Sequence, residues 1–489
     1  MPLILPGNVG SATAATGYDV ANSVRFDDGG NCQMRRAGVA GGNQDKFTLS
    51  MWIKRSNIST DHPRLFTSVA GGDDRFEVYF ENTDELHIEG VDNGTATLNL
   101  VTNRKFRDIS AWYHILLAVD TGQGTEANRA KLYINGVLET SLGTSARPDQ
   151  NGNIGINTNS FPLQIGERSG YGVDFDGYLA EIVLLDGTQA ANTDLGEFDE
   201  DSGIWKPIDV EGLSSSKGNN GFYLDFKASG NLGNDVFGGT DFSESGLAAI
   251  DQTTDTCTNN FATINPLDNF FANATISEGN TKVVTNASAE AMSTSTFALS
   301  AGRWYFEVDF VANDGNVSRQ CGITPHGSKV MSGISGKAAD VTPHAHALND
   351  AGVLQTGNGS GGQTNLGTLT SYTNGDVIGV YMDLEDMKSY FSKNGTLMNS
   401  GTGINLSALN ANEHDVSGGS GHYMFFVGDN NSAAHTCHAN FGNPNTALDN
   451  AGVTDDNGFG AFEYSPNITG DSTAKKFYAC CTKNLAEFG

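Results

Sequence analysis

Apolar and polar residues alternate with a period of two in several short segments of this chain. Between Phe47 and Ile53, the side chains of Phe47, Leu49, Met51 and Ile53 fall on one face of an extended strand. Between Arg303 and Phe310, Trp304, Phe306, Val308 and Phe310 face one way, and Tyr305, Glu307 and Asp309 face the other. Residues 76–80 form another such run. Residues 112–119 are apolar on both faces, as a central strand of two packed sheets is. Asn135-Gly136 and Asn394-Gly395 sit between strand-like runs and predict tight hairpins, because both residues tolerate positive φ. Further strands are predicted over 175–185, 221–226, 375–384, 422–427 and 438–442. A helical period persists nowhere for three turns.

The pattern predicts an all-β chain of two tandem antiparallel β-sandwich (jelly-roll) domains, with a short N-terminal arm and a loop-rich connector. The arm is residues 1–21, where Leu3-Ile4-Leu5 lies between Pro2 and Pro6 and small residues follow. The first sandwich spans 22–206, the connector 207–260, the second sandwich 261–446 and a C-terminal segment 447–489. The connector is rich in Gly, Asn, Ser and Asp, so proteolysis is expected to cut between about 187 and 260 and release two folded fragments. The polar stretch 333–367 predicts long surface loops.

Composition sharpens this picture in three ways. The 61 glycines suit many short strands joined by turns. The 57 acidic residues against 28 basic ones give a formal charge of −29, which repels nucleic acid and excludes it as an expected partner. The six cysteines, Cys32, Cys257, Cys321, Cys437, Cys480 and Cys481, have no regular spacing and are expected as thiols, mostly buried. The N-terminus lacks the basic and apolar regions of a secretory signal, so synthesis and folding in a cytoplasm are expected, without membrane insertion.

Specific segments carry a resemblance to two families. FTLSMWIKRSN, AWYHILLAVD, KLYINGV and FDGYLAEIVLLDG resemble a laminin-G-like, concanavalin A-like jelly roll over about 22–186. NNFATINPLD, AGRWYFEVDF, GDVIGVYMDLEDMKSYFSKNG and HANFGNP resemble a SPRY domain over about 261–446. Their tandem order, with NGFYLDF between and KNLAEFG at the end, is similar to virion proteins of marine bacteriophages. The resemblance implies sandwiches that recognise glycans or proteins through loops at one end. It implies a virion-surface fibre or decoration protein, made in the host cytoplasm and mediating adhesion to host-surface or environmental glycans.

Candidate chemistry is sparse. Glycan hydrolases of this fold need carboxylates at two-residue steps on a strand. Glu307-x-Asp309 is the nearest match, on a face read as exposed, but position 311 is Val. Glu197-x-Asp199-x-Asp201 lies in a polar stretch without strand pattern. His344-x-His346 and His435-x-Cys437-His438 are the close His clusters. They are read as exposed loop histidines and as partly packed strand residues, respectively, in preference to zinc ligands. Asp27-Asp28, Asp73-Asp74, Asp174/Asp176 and Asp455-Asp456 lie near glycines and could supply calcium oxygens, although solvated turn aspartates are the default. Trp52, Trp112 and Trp304 read as core. Tyr171 and Tyr372 read as loop aromatics able to stack on a ligand.

The expectation is therefore a binding protein and no enzyme, with no catalytic, cofactor or metal residue assigned. The alternatives are a polysaccharide-degrading enzyme of concanavalin-like fold and a purely architectural particle protein. Expected partners are glycans or host-surface molecules, and other virion proteins reached through the N-terminal arm. Multivalent adhesion favours a homo-oligomer, with a trimer expected.

Overall fold

The structure, a computed structural model, describes residues 17–489 apart from 70–73, 159–160, 169, 272–273, 287–290, 314–318, 327–344, 358–362, 407–420, 430–433, 451 and 470–473. The chain divides into two compact units at Asn260/Phe261. Most of the expected arm, His344 and Asp73 lie outside the described residues. Both units are antiparallel β-sandwiches.

The first unit is built on two eight-stranded sheets, with a two-stranded ribbon of Glu197–Phe198 and Trp205–Lys206 beside them. One runs in the order Val137–Leu138, Ala130–Ile134, Trp112–Asp120, Lys46–Arg55, Gly177–Asp186, Ser23–Phe26, Gln252–Thr253, and Phe222–Leu224 also pairs with Gly177–Asp186. The other runs Leu142–Ala146, Thr95–Lys105, Glu85–Asp92, Arg75–Phe80, Arg64–Val69, Leu163–Ile165, Gln33–Arg36, Ser243–Ser245. Period-two alternation sends Phe47, Leu49, Met51 and Ile53 inward against Phe66, Phe76, Val78, Ile88 and Leu100 of the facing sheet. The hairpin step is as expected: Asn135 and Gly136 both have positive φ, at 48° and 74°.

The segment expected as a connector, 207–260, is part of this sandwich. Phe222–Leu224 pairs with Gly177–Asp186, Ser243–Ser245 with Gln33–Arg36, and Gln252–Thr253 with Ser23–Phe26. The reason lies in the two-faced apolar strands. Leu116, Ala118, Val183 and Leu185 point away from the main core, and Ala190, Leu195, Val210, Tyr223 and Phe237 cover them. Leaving those side chains in water would cost about 1.5–3 kcal/mol for each large one. The arm's last residues are also engaged, since Val20 is buried with Trp52, Ala180 and Trp205.

The second unit has sheets of seven and nine strands. Trp304, Phe306, Val308 and Phe310 enter its main core. The opposite face of the Arg303–Asn313 strand is closed over by the C-terminal segment. Phe462, Ile468, Phe477, Ala479 and Cys481 pack on Tyr305, Tyr381 and Tyr390. Tyr478–Ala479 pairs in parallel with this strand, and the helix Thr482–Phe488 follows. Residues 447–489 thus complete the second sandwich, which does not end at 446. Both units use their final stretch to cover an apolar sheet face that alternation alone leaves bare.

Five of the six cysteines are buried thiols and Cys257 is partly buried. Among the described residues no helix is long and apolar enough to cross a membrane.

Candidate functional site

Strand register builds an acidic rim at one end of the first unit. Phe26 pairs with Gly177, and Gly177 with Arg55, so three strand ends lie side by side. Asp27 and Asp28 follow the first strand, Asp176 precedes the second, and Ser56 and Asn57 follow the third. Ligand oxygens of Asp27, Asp28 and Asp176 all lie within 4.8 Å of one another. Asn57 Nδ2 donates to Asp28 Oδ2 and to Asp176 Oδ2, both at 3.2 Å. The Ser56 amide donates to the Asp176 carbonyl at 3.1 Å, which anchors the loop. Gly30 N donates to Asp27 O at 3.2 Å and closes the turn after the first strand.

Like charges and burial load this rim. Burial and then Asp27 push the Asp28 carboxyl up. Burial and then Asp28 push Asp174 up, and burial and then Asp174 push Glu167 up. Among the described residues, buried Asp174 Oδ1, Glu167 Oε2 and Asn57 Oδ1 have no hydrogen-bond donor. Buried oxygens of this kind call for a positive partner. Calcium takes six to eight oxygens, largely carboxylate and amide, so this donor set suits it. Asp27, Asp28 and Asp176 would hold the ion. The sequence contained both pairs, but nothing in it showed that residues 27–28 and 174–176 meet.

The same loop region presents an aromatic. Tyr171 is 62% exposed, and the Arg168 guanidinium lies 3.7 Å from its ring centroid. Arg168 also donates to Glu77 Oε2 at 3.1 Å, on the outer face of the second sheet. Strand pairing aligns Arg35, Gln164, Thr67, Glu77, Glu89 and Asn99 in one polar row across that sheet. Beside the row, Arg64 lies 3.9 Å from the Tyr79 ring centroid. Thr67, Glu77 and Gln164 of that row and the Tyr79 ring are buried, so exposed Tyr171, rather than the row, is what this region offers a hydroxyl-rich ligand for stacking.

The other candidates have structural roles or lie apart. Glu307 is not on an exposed face. Its Oε1 accepts from Tyr305 Oη at 2.9 Å and Tyr464 N at 2.8 Å, and its Oε2 from Glu463 N at 2.8 Å and Asn440 Nδ2 at 3.2 Å. Burial pushes its carboxyl up to about 7 against those four donors. The C-terminal segment covers it, which alternation along one strand could not reveal. Glu307 and Asp309 both line a cleft of about 200 Å³, with His438, Asn445, Asp449 and Tyr464. Asp199 accepts from Ser202 N and Oγ in a turn, which holds its carboxyl down at about 2.

His346, expected in an exposed loop, is fully buried in the strand His346–Asn349 and bonded to Ser389 Oγ at 2.7 Å. His435 and Cys437 point inward while His438 points to the other face and meets Asn445 Oδ1 at 2.8 Å, so the three do not converge. Burial holds His435 near pKa 3. Asp455 is buried and accepts from Phe459 N, Ala479 N and Asn484 Nδ2. Asp74 caps Asn93 N at 2.5 Å. Tyr372 is not a platform: it is 2% exposed, and its hydroxyl donates to the carbonyls of Arg319 and Leu348. Trp52 and Trp304 are buried as the strand pattern implied, whereas Trp112, also expected as core, is half-buried. Trp205, which the pattern did not single out, donates to His114 Nδ1 at 2.9 Å behind the first sheet.

No curated protein is similar in sequence. Among solved structures, the SPRY domain of human HERC1 is 16% identical, with 36% of this chain and 96% of that one covered and a TM-score of 0.26. Mouse laminin α1 domains LG4-5 are 9% identical, with 87% and 88% covered and a TM-score of 0.27. Domain 4 of a Geobacillus stearothermophilus extracellular arabinanase, in complex with arabinotriose, is 18% identical, with 35% and 72% covered and a TM-score of 0.24. Residues 27–191 match the laminin-G-type family model of the concanavalin A-like lectin/glucanase superfamily, so the first unit is built on a concanavalin A-like jelly roll.

Proposed function

We propose that this protein is a glycan-binding component of a bacteriophage particle surface, a fibre or decoration protein that binds without catalysis. The observation that carries the binding function is the acidic rim beside exposed Tyr171, at one end of a concanavalin A-like sandwich. A calcium ion there would supply positive charge for sugar hydroxyls and tie the loops 27–32 and 167–176 together. Tyr171 would stack on a pyranose face, held by Arg168. Glu307, the carboxylate best matched to a hydrolase, spends all four acceptor positions inside the protein, which supports binding over turnover.

The particle location rests on the resemblance of the tandem order to marine phage virion proteins. In this reading the N-terminal arm anchors the chain to neighbouring virion proteins, and a homotrimer multiplies weak contacts by about 10²–10⁴ in avidity. The test is a glycan array with the intact protein in calcium and in EDTA, together with antibody labelling of particles. Binding that needs calcium and falls at least tenfold in Tyr171→Ala is expected. Reducing-sugar release from any bound glycan, or absence of the chain from particles, overturns the corresponding half of the proposal.

A further inference from the structure

The first unit ends on a buried chemical triad. Lys54 lies on the face of Lys46–Arg55 opposite Ile53 and is 1% exposed, an unusual place for an amine. Its Nζ is 2.7 Å from Asp255 Oδ2 and 2.7 Å from Asn260 Oδ1. Asp255 and Asn260 are themselves buried. The partners are held in turn. Trp112 Nε1 donates to Asp255 Oδ1 at 3.2 Å, and Asn260 Nδ2 donates to the Ser110 carbonyl at 2.6 Å. The Tyr178 ring lies 5.3 Å from Nζ. An amine, a carboxamide and a carboxyl group are thus fixed in contact, away from solvent.

A nucleophile held against an electrophile in a dry site reacts far faster than the same groups in water. We propose that Lys54 and Asn260 become joined by an intramolecular isopeptide bond, with Asp255 carrying the protons. Asp255 takes a proton from the Lys54 ammonium and leaves a nucleophilic lone pair on Nζ. Nζ attacks Asn260 Cγ, and the tetrahedral centre collapses with cleavage of Cγ–Nδ2. The Asp255 proton and the proton that Nζ sheds on becoming an amide nitrogen both pass to the departing nitrogen, which leaves as ammonium and returns Asp255 to carboxylate. One C–N bond forms and one breaks, and no oxidant or cofactor takes part.

The bond would tie a central strand of the first sandwich to the residue before Phe261. Tension arriving through the second unit would then load a covalent link instead of the two-residue strand Gln252–Thr253. This suits a protein under shear, but the chemistry does not depend on the proposed function.

Intact-mass measurement of the full chain tests it. The wild type is expected about 17 Da below its sequence mass, one ammonia, with Lys54 resistant to trypsin. A branched peptide joining the Lys54 and Asn260 segments should be recovered. Lys54→Arg should restore the full mass. Asp255→Asn, which keeps both linked residues, should stay at full mass. A wild type at its full mass with Lys54 cleaved by trypsin overturns the proposal. So does a mass deficit that persists in Lys54→Arg, because a succinimide at an Asn-Gly step such as Asn135-Gly136 also loses ammonia. Cross-linking in Asp255→Asn overturns the role given to Asp255. The branched peptide is read in the wild type alone, so the test stands even where a variant folds poorly.

Discussion

Replacing Glu307 by Gln should have opposite consequences at acid and alkaline pH. The carboxyl has four donors around it and is raised by burial from 4.5 to about 7. Its folded value lies above its unfolded one, so its contribution to stability is fully present below about pH 4.5 and is lost as pH rises through about 7. The rise corresponds to about 3 kcal/mol. At pH 5 the protonated carboxyl can donate to Tyr305 Oη, which turns to accept, while the Glu463, Tyr464 and Asn440 donors stay satisfied. Gln places an NH₂ where one oxygen was and strands one backbone N–H, that of Glu463 or Tyr464, at about 1–3 kcal/mol. Glu307→Gln should therefore destabilise the second unit by about 1–3 kcal/mol at pH 5. At pH 8 the wild type has lost about 3 kcal/mol and the variant has not, so the two should be equal or reversed in order. Native-state hydrogen exchange of peptides covering Arg303–Asn313 reads the free energy of this unit directly. A penalty that is constant between pH 5 and pH 8, or that grows with pH, refutes the reasoning: the four donors would then outweigh burial and keep the carboxylate ionised.

Calcium at about a hundredfold excess over its Kd should stabilise the first unit by about 2.7 kcal/mol, seen as a rise in melting temperature that EDTA reverses and Asp176→Asn abolishes. A chain ending at residue 206 should fail to fold, because three strands lose their partners, whereas one ending at residue 260 should give a soluble, cooperatively melting sandwich by circular dichroism. Tyr372→Phe removes a buried hydroxyl that donates to either of two carbonyls and should cost about 1–2 kcal/mol in chemical denaturation of the second unit.

Much of the architecture was legible because alternation is a local property. Each strand carries its own inward face, so Phe47–Ile53 and Trp304–Phe310 announced their cores without any partner. Asn135-Gly136 announced a hairpin for the same reason: the required positive φ belongs to those two residues. What lies above a sheet is not local. Residues 112–119 signalled two buried faces, but nothing in their order named Tyr223 and Phe237 as the cover. Gly- and Asn-rich composition made 207–260 look like a linker, when its few apolar residues are the ones that count. Glu307 looked exposed because its cover arrives more than 150 residues later. The acidic rim needed register, which sets Asp27 beside Asp176 through the pairing of Phe26 with Gly177. The Lys54–Asp255–Asn260 contact needed chain closure over some 200 residues. Sequence alone determined the strands and their inward faces, since these depend on neighbours along the chain. The sites were decided by tertiary structure, since each joins groups that only folding brings within bonding distance.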